Sequence, residues 1–390
     1  MAADKNIRQD LRLYLTQEPV ILALLSILAV LFFLAVSGLS HIYHSQQESL
    51  GNRWFDRGIL DLKAQRFQNA VSDFRTALLY SRDEYSYELN LAEALIGLKR
   101  TDEAYAYLIN LWDQEPENGL VNLELARIAA NKKETDKALR YYHNAIYATW
   151  PASDEEVERR TTRLELIDFL LNIDARPQAE SELIALAANL SDDPAQQIRV
   201  AELFVRVKDY ERALAQYRLA LASDRQNPTA LAGVGMAAFE LSRYDVARRY
   251  LEAAVAANPA DTHSADLLKT TELVLRLDPF QRQLSMAERT RIVIEDFATA
   301  GDRIKSCSTS PKLAGNASKS NLPTALDASQ AKWEEMKPQV SERELRRNPD
   351  LVENTMNFVF DIERQTNNTC GPASGTDLAL LLIAKLHEGN

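Results

Sequence analysis

Residues 54–77 read WFDRGILDLKAQRFQNAVSDFRTA, and residues 235–259 read GMAAFELSRYDVARRYLEAAVAANP. Aligned on Ala70 and Ala247, both segments carry glycine twelve residues before the alanine, at Gly58 and Gly235. Both carry apolar residues four and seven after it: Phe74 and Ala77 in one, Leu251 and Ala254 in the other. The register recurs at Ala104, Ala138, Ala179 and Ala213, so six alanines follow one another at steps of 34, 34, 41, 34 and 34 residues. Offsets of four and seven return to one face of an α-helix, which predicts a helix with an apolar stripe at each alanine. The residue twelve positions earlier is small in five of six cases (Gly58, Ala92, Ala126, Ala201 and Gly235, against Ile167), predicting a second helix packed closely on the first. Pro116 and Pro259 close their units, and Pro151, Pro194 and Pro228 fall one to three positions later, where a proline ends one helix before the next begins. A fixed period of this length marks an array of helix pairs.

This register resembles the tetratricopeptide repeat family. The residues that carry the resemblance are Trp54, Gly58, Phe67, Ala70, Phe74 and Ala77 in the first unit, and Gly235, Tyr244, Ala247, Leu251, Ala254 and Pro259 in the sixth. It covers residues 51–261, divided as 51–84, 85–118, 119–152, 160–193, 194–227 and 228–261. The fourth unit departs most, with Ile167 and Arg176 where the others carry a small and an aromatic residue. The resemblance implies an all-α fold, a right-handed α-solenoid of about six helix pairs. It also implies a concave face, lined by the first helix of each pair, that receives a protein partner. Positions on that face are Phe55, Ile59, Leu89, Glu93 and Leu123, followed by Arg127, Glu202, Met236 and Phe239. The paired lysine and asparagine with which chaperone-binding relatives clamp a peptide carboxylate have no counterpart here.

The 41-residue step holds seven extra residues near Trp150–Glu156, with Ser153 or Asp154 as a helix cap. Seven residues make two helical turns, so a lengthened helix keeps the register.

Upstream of the repeats, residues 20–39 read VILALLSILAVLFFLAVSGL, without a charge. At about 1.5 Å per residue they span the roughly 30 Å hydrocarbon core of a bilayer. Residues 1–19 form a polar tail with Lys5, Arg8 and Arg12, and no Lys or Arg follows the span until Arg53. The positive-inside rule then puts 1–19 in the cytoplasm, a transmembrane helix at 20–40, and the repeats outside. His41, Tyr43 and His44 suit the interfacial rim. A cleaved signal sequence is the rival reading, with Ala35-Val36-Ser37 as a cleavage site; its apolar core is normally shorter.

Downstream, residues 262–305 predict helices that cap the stack, 306–340 a linker that is Ser/Lys/Asn/Pro-rich in its first half, and 341–390 a C-terminal helical segment. The apolar run Leu378–Leu386 requires a covering surface. The net charge of −11 excludes general nucleic-acid binding. The five histidines show no metal-ligand spacing, and there is no glycine-rich phosphate loop.

The segment Gln365–Ala373, with Cys370-Gly371-Pro372, resembles the nucleophile segment of papain-like cysteine proteases, where the Cys opens a helix. Only twenty residues follow Cys370, with His387 the single histidine among them, so no protease domain fits. In an oxidising compartment a Cys307–Cys370 disulfide is the better reading. The sequence thus predicts a non-enzymatic scaffold without cofactor or metal. It is anchored through residues 20–39 in a bacterial inner membrane, with the repeats in the periplasm and envelope or membrane proteins as partners. The alternatives are a permanent subunit of a membrane complex, or a cysteine hydrolase using Cys370.

Overall fold

A computed structural model describes residues 3–150, 155–190, 192–309 and 322–388. Among them lie eighteen helices and no strand. The first is α1 (Ala3–Lys63), followed by α2 (Phe67–Tyr80), α3 (Tyr85–Gly97), α4 (Thr101–Gln114), α5 (Gly119–Asn131) and α6 (Thr135–Tyr147). Next come α7 (Glu155–Asn172), α8 (Arg176–Ala187), α9 (Pro194–Arg206), α10 (Tyr210–Ser223), α11 (Pro228–Glu240) and α12 (Tyr244–Ala257). The chain ends in α13 (Thr262–Leu277), α14 (Met286–Thr309), α15 (Leu322–Met336), α16 (Glu342–Arg347), α17 (Pro349–Cys370) and α18 (Thr376–His387). They form two compact units, residues 1–169 and 170–390.

In the first unit, α1 runs unbroken from the apolar segment through residues 41–50 into the first helix pair, so the stretch after the span is helix. From Leu22 to Leu39 its side chains are exposed, and the segment is long and apolar enough to cross a membrane. At about 1.5 Å per residue, the twelve residues from Leu39 to Gly51 carry the helix about 18 Å before it meets the repeats. There Asn52 accepts a hydrogen bond from the Tyr87 hydroxyl at 2.7 Å.

The alanine ladder has a direct physical cause. Ala70, Ala104, Ala138, Ala179, Ala213 and Ala247 are all fully buried. In the first and sixth units the glycine twelve before the alanine faces the bulky residue four after it: a Cβ added to Gly58 would lie 2.5 Å from the ring of Phe74, and one added to Gly235 2.7 Å from Leu251. Within each pair the turn is also constant. Gln65, Lys99, Lys133, Asp174, Lys208 and Ser242, each five residues before its alanine, adopt φ between 56° and 66°. In every case the next residue's N–H reaches back five residues and the left-handed residue's own N–H reaches back three, as in Arg66 N→Asp61 O (2.8 Å) and Gln65 N→Leu62 O (2.9 Å). This is the Schellman termination, here built without glycine.

Pro194 and Pro228 open α9 and α11 behind the capping side chains of Asp193 and Asn227, positions where a missing N–H costs nothing. Trp150 is buried and donates from Nε1 to the Ala145 carbonyl at 2.9 Å, its ring lying where a Cβ on Gly119 would go. It plugs the end of the third pair. Ser153 and Asp154 lie outside the described residues; α7, with three glutamates in its first turn, has 18 residues where α5 and α9 have 13.

In the second unit, α13 covers α12 and the remaining helices build one core with it. Val293, Phe297 and Ile304 of α14 meet Met356 and Val359 of α17 and Ile383 of α18. The run Leu378–Leu386 lies in α18 and is covered by α13 and α17. Residues 306–340 depart from the sequence reading, since Leu322–Met336 is helix α15 rather than linker. Leu326 and Trp333, seven residues apart and so on one helical face, are both buried. Trp333 stacks on Phe297 at 5.2 Å and donates to its carbonyl at 2.8 Å.

Candidate functional site

In the first unit three successive first helices, α3, α5 and α7, bring charged side chains together. Arg127 on α5 holds Glu165 of α7 bidentately along one guanidinium edge, with Nε–Oε2 at 2.9 Å, and its Nη1 pairs with Glu124 one turn earlier on its own helix. Glu93 on α3 is exposed and faces Glu124. Partial desolvation by the neighbouring helices, and then the Glu124 charge, push the Glu93 carboxyl above its ordinary value. Burial also raises Glu124, against the pull of Arg127. The Arg127 guanidinium is raised further by its bond to Glu165, and burial beside Glu165 pushes the Tyr142 phenol up to about 12. Glu124 and Glu165 therefore share the Arg127 cation, and Glu93 adds a third carboxyl facing Glu124.

The other sequence-predicted positions divide by role. Phe55 stacks on Tyr87 at 4.8 Å and touches Phe74 at 5.7 Å, while Leu123 is buried, so both serve packing. Ile59 and Leu89 are half-buried. In the second unit Glu202 is exposed, and its charge acts on Tyr217, whose phenol burial already pushes up to about 12. Met236 is half-buried, whereas Phe239 packs against Tyr244 and the core of the C-terminal helices. Glu124 and Glu165 escaped the sequence reading. Both stand fourteen residues before a ladder alanine, so the ladder read at that offset finds them.

Cys307 at the end of α14 and Cys370 at the end of α17 are joined, their Cα atoms 5.7 Å apart. Cys370 closes a helix instead of opening one, so no helix N-terminus is available to stabilise a thiolate. His387 lies 3.1 Å from Asp278 and against the ring of Phe280. Among the described residues no group of His, Cys, Asp and Glu is arranged to hold a metal ion.

With this geometry established, the comparison with known proteins is specific to the repeats. Residues 55–112 and 199–262 match the tetratricopeptide repeat family. These stretches are similar to tetratricopeptide repeats. Solved structures similar to the chain are repeat proteins as well. The C-terminal part of a TPR protein from Cytophaga hutchinsonii is 14% identical, with a TM-score of 0.44 over 59% of this chain and 97% of that one. PilF of Pseudomonas aeruginosa is 16% identical, with a TM-score of 0.39 over 56% and 97%. YrrB, a TPR protein with a peptide-binding site, is 14% identical, with a TM-score of 0.38 over 49% and 95%. No curated protein matches the chain.

Proposed function

We propose that this chain is a membrane-anchored scaffold whose repeats present the α3–α5–α7 wall to a protein partner outside the cytoplasm. Tetratricopeptide repeats serve as surfaces for protein partners, and on this wall the carboxyls of Glu93, Glu124 and Glu165 stand around the one guanidinium of Arg127. The observation that carries the reading is the charge imbalance at Glu93, Glu124 and Glu165 around Arg127: a partner's cation would relieve a desolvated excess of negative charge. The apolar half of α1 supports anchoring in a bilayer. The distribution of Lys5, Arg8 and Arg12 before it, with Arg53 the first basic residue after, supports an extracytoplasmic, periplasmic setting for the repeats. A Cys307–Cys370 bridge suits the same compartment.

A photo-crosslinking residue at Glu93 in native membranes tests the binding wall. A discrete adduct that disappears with Glu124→Lys is the expected result, with no adduct from Lys137 on the second-helix side. Equal adducts from both positions would refute it. Labelling of whole cells by a membrane-impermeant maleimide tests the topology: both cysteines label only after reduction if they are bridged and outside. Ready labelling of Cys370 without reduction would instead favour a reactive thiol. Fixed stoichiometry on co-purification separates a permanent subunit from an assembly factor.

A further inference from the structure

The core of the C-terminal helices contains two carboxyl groups that nothing in the protein satisfies. Asp296 on α14 and Glu363 on α17 are both fully buried, and all four of their carboxyl oxygens lack a hydrogen-bond partner. They sit on the two helices that form the centre of this core, among Val293, Phe297, Val359 and Ile362.

An ionised carboxylate in such surroundings carries a desolvation penalty of several kcal/mol unless a cation repays it. The charged neighbours do not. Facing Asp296 are Glu295 on its own helix, Asp278 and Arg276 from α13 and its end, and Glu363 from α17. Facing Glu363 are Asp377 from α18 and Arg303 from α14. Arg303 is already engaged, its Nε 3.4 Å from Asp377 and its Nη2 donating to the Gly371 carbonyl at 3.2 Å. Asp278 faces His387 at 3.1 Å. Carboxyls thus outnumber arginines, and neither of the two most buried carboxyls has a hydrogen-bond partner.

We propose that the C-terminal helical module is held closed by two protonated carboxylic acids, Asp296 and Glu363, and loosens as rising pH ionises them. Burial pushes Asp296 up to about 9 and Glu363 up to about 8, from ordinary values of 3.8 and 4.5. Both folded values are raised, so the folded module holds more protons than the unfolded chain across that interval. The stability these groups contribute is fully present below the ordinary carboxylate range. It is lost as pH rises, until the raised values are passed. Each group changes the opening equilibrium by up to tenfold per pH unit in this window. The bridge between Cys307 and Cys370 joins the same two helices, so it limits how far an ionised core can open without removing the pH dependence. This device is independent of the partner-binding reading, since it lies outside the α3–α5–α7 wall.

Hydrogen exchange of the full-length chain in detergent, followed from about pH 6 to about pH 8 and corrected for the intrinsic rate of each amide, measures it. The expected result is an opening of α14 and α17 that rises at least tenfold more than that of α9–α12, and a double Asp296→Asn, Glu363→Gln variant in which this difference vanishes. A flat wild-type profile, or a slope that persists in the double variant, would overturn the proposal. Should the variant not fold, the infrared carbonyl band of protonated carboxylic acids in the wild-type protein at neutral pH decides: its presence upholds the proposal and its absence rejects it.

Discussion

Replacing Gly235 by alanine places two opposing effects on one carbon atom. In an exposed helix interior the change stabilises by about 1 kcal/mol, because alanine loses less backbone freedom on folding. At Gly235 the new Cβ would lie 2.7 Å from Cγ and Cδ2 of Leu251 and 3.2 Å from its backbone nitrogen. Leu251 is fully buried, and the nitrogen belongs to α12 itself, so neither a rotamer change nor a small helix shift relieves the contact cheaply. Forcing one methyl group into a packed site costs about 1–3 kcal/mol. We weigh that cost near its upper end because backbone is involved, which predicts a net loss of about 1–2 kcal/mol, the helix propensity gain included. The loss is local, since each repeat touches only its neighbours. Hydrogen exchange of the α11 and α12 amides should therefore accelerate by about 5–30-fold, with α14 and α17 unchanged. Unchanged or slowed exchange in α11 and α12 would refute the claim that close approach of α11 and α12 enforces glycine at position 235.

Lys99→Gly and Lys208→Gly should each stabilise the chain by about 0.5–1 kcal/mol, because the left-handed conformation costs a side chain more than glycine's added freedom; urea unfolding of the single variants checks this. Arg127→Ala removes the one cation shared by Glu124 and Glu165, so the Glu124 carboxyl moves up further and the first unit becomes less stable as pH rises above the ordinary carboxylate range. Because Arg127 is more than a third exposed, the expected loss at neutral pH is only about 1–2 kcal/mol, read by thermal melting at two pH values. Reducing the Cys307–Cys370 bridge, which closes a loop with a sequence separation of 63, should destabilise the C-terminal helices by about 4 kcal/mol on the chain-entropy account. Limited proteolysis with and without reductant follows it, with cleavage expected first between α14 and α17.

The periodic array was legible in the chain because its cause is local and repeated. One buried alanine every repeat, with a small residue twelve before it in five of six units, leaves a mark at a constant offset, and the apolar span and the termination at each proline are equally one-dimensional. The left-handed turn residues repeat just as regularly, yet Gln, Lys, Asp and Ser at those positions do not announce a positive φ as glycine does. The packed array imposes it on them. Glu124 and Glu165 acquire meaning only through Arg127, whose partners lie 3 residues away on one side and 38 on the other. Helix α15 was hidden by the composition of its upstream neighbour and by the isolation of Leu326 and Trp333, which become a helix face only against Phe297. Asp296 and Glu363 carry no sequence signal at all, since a carboxyl group costs nothing until a core closes over it. Local spacing could be read from the residues; burial, which sets the charge state of those carboxyls and the imbalance at the α3–α5–α7 wall, belongs to helices far apart in sequence and came only from their packing.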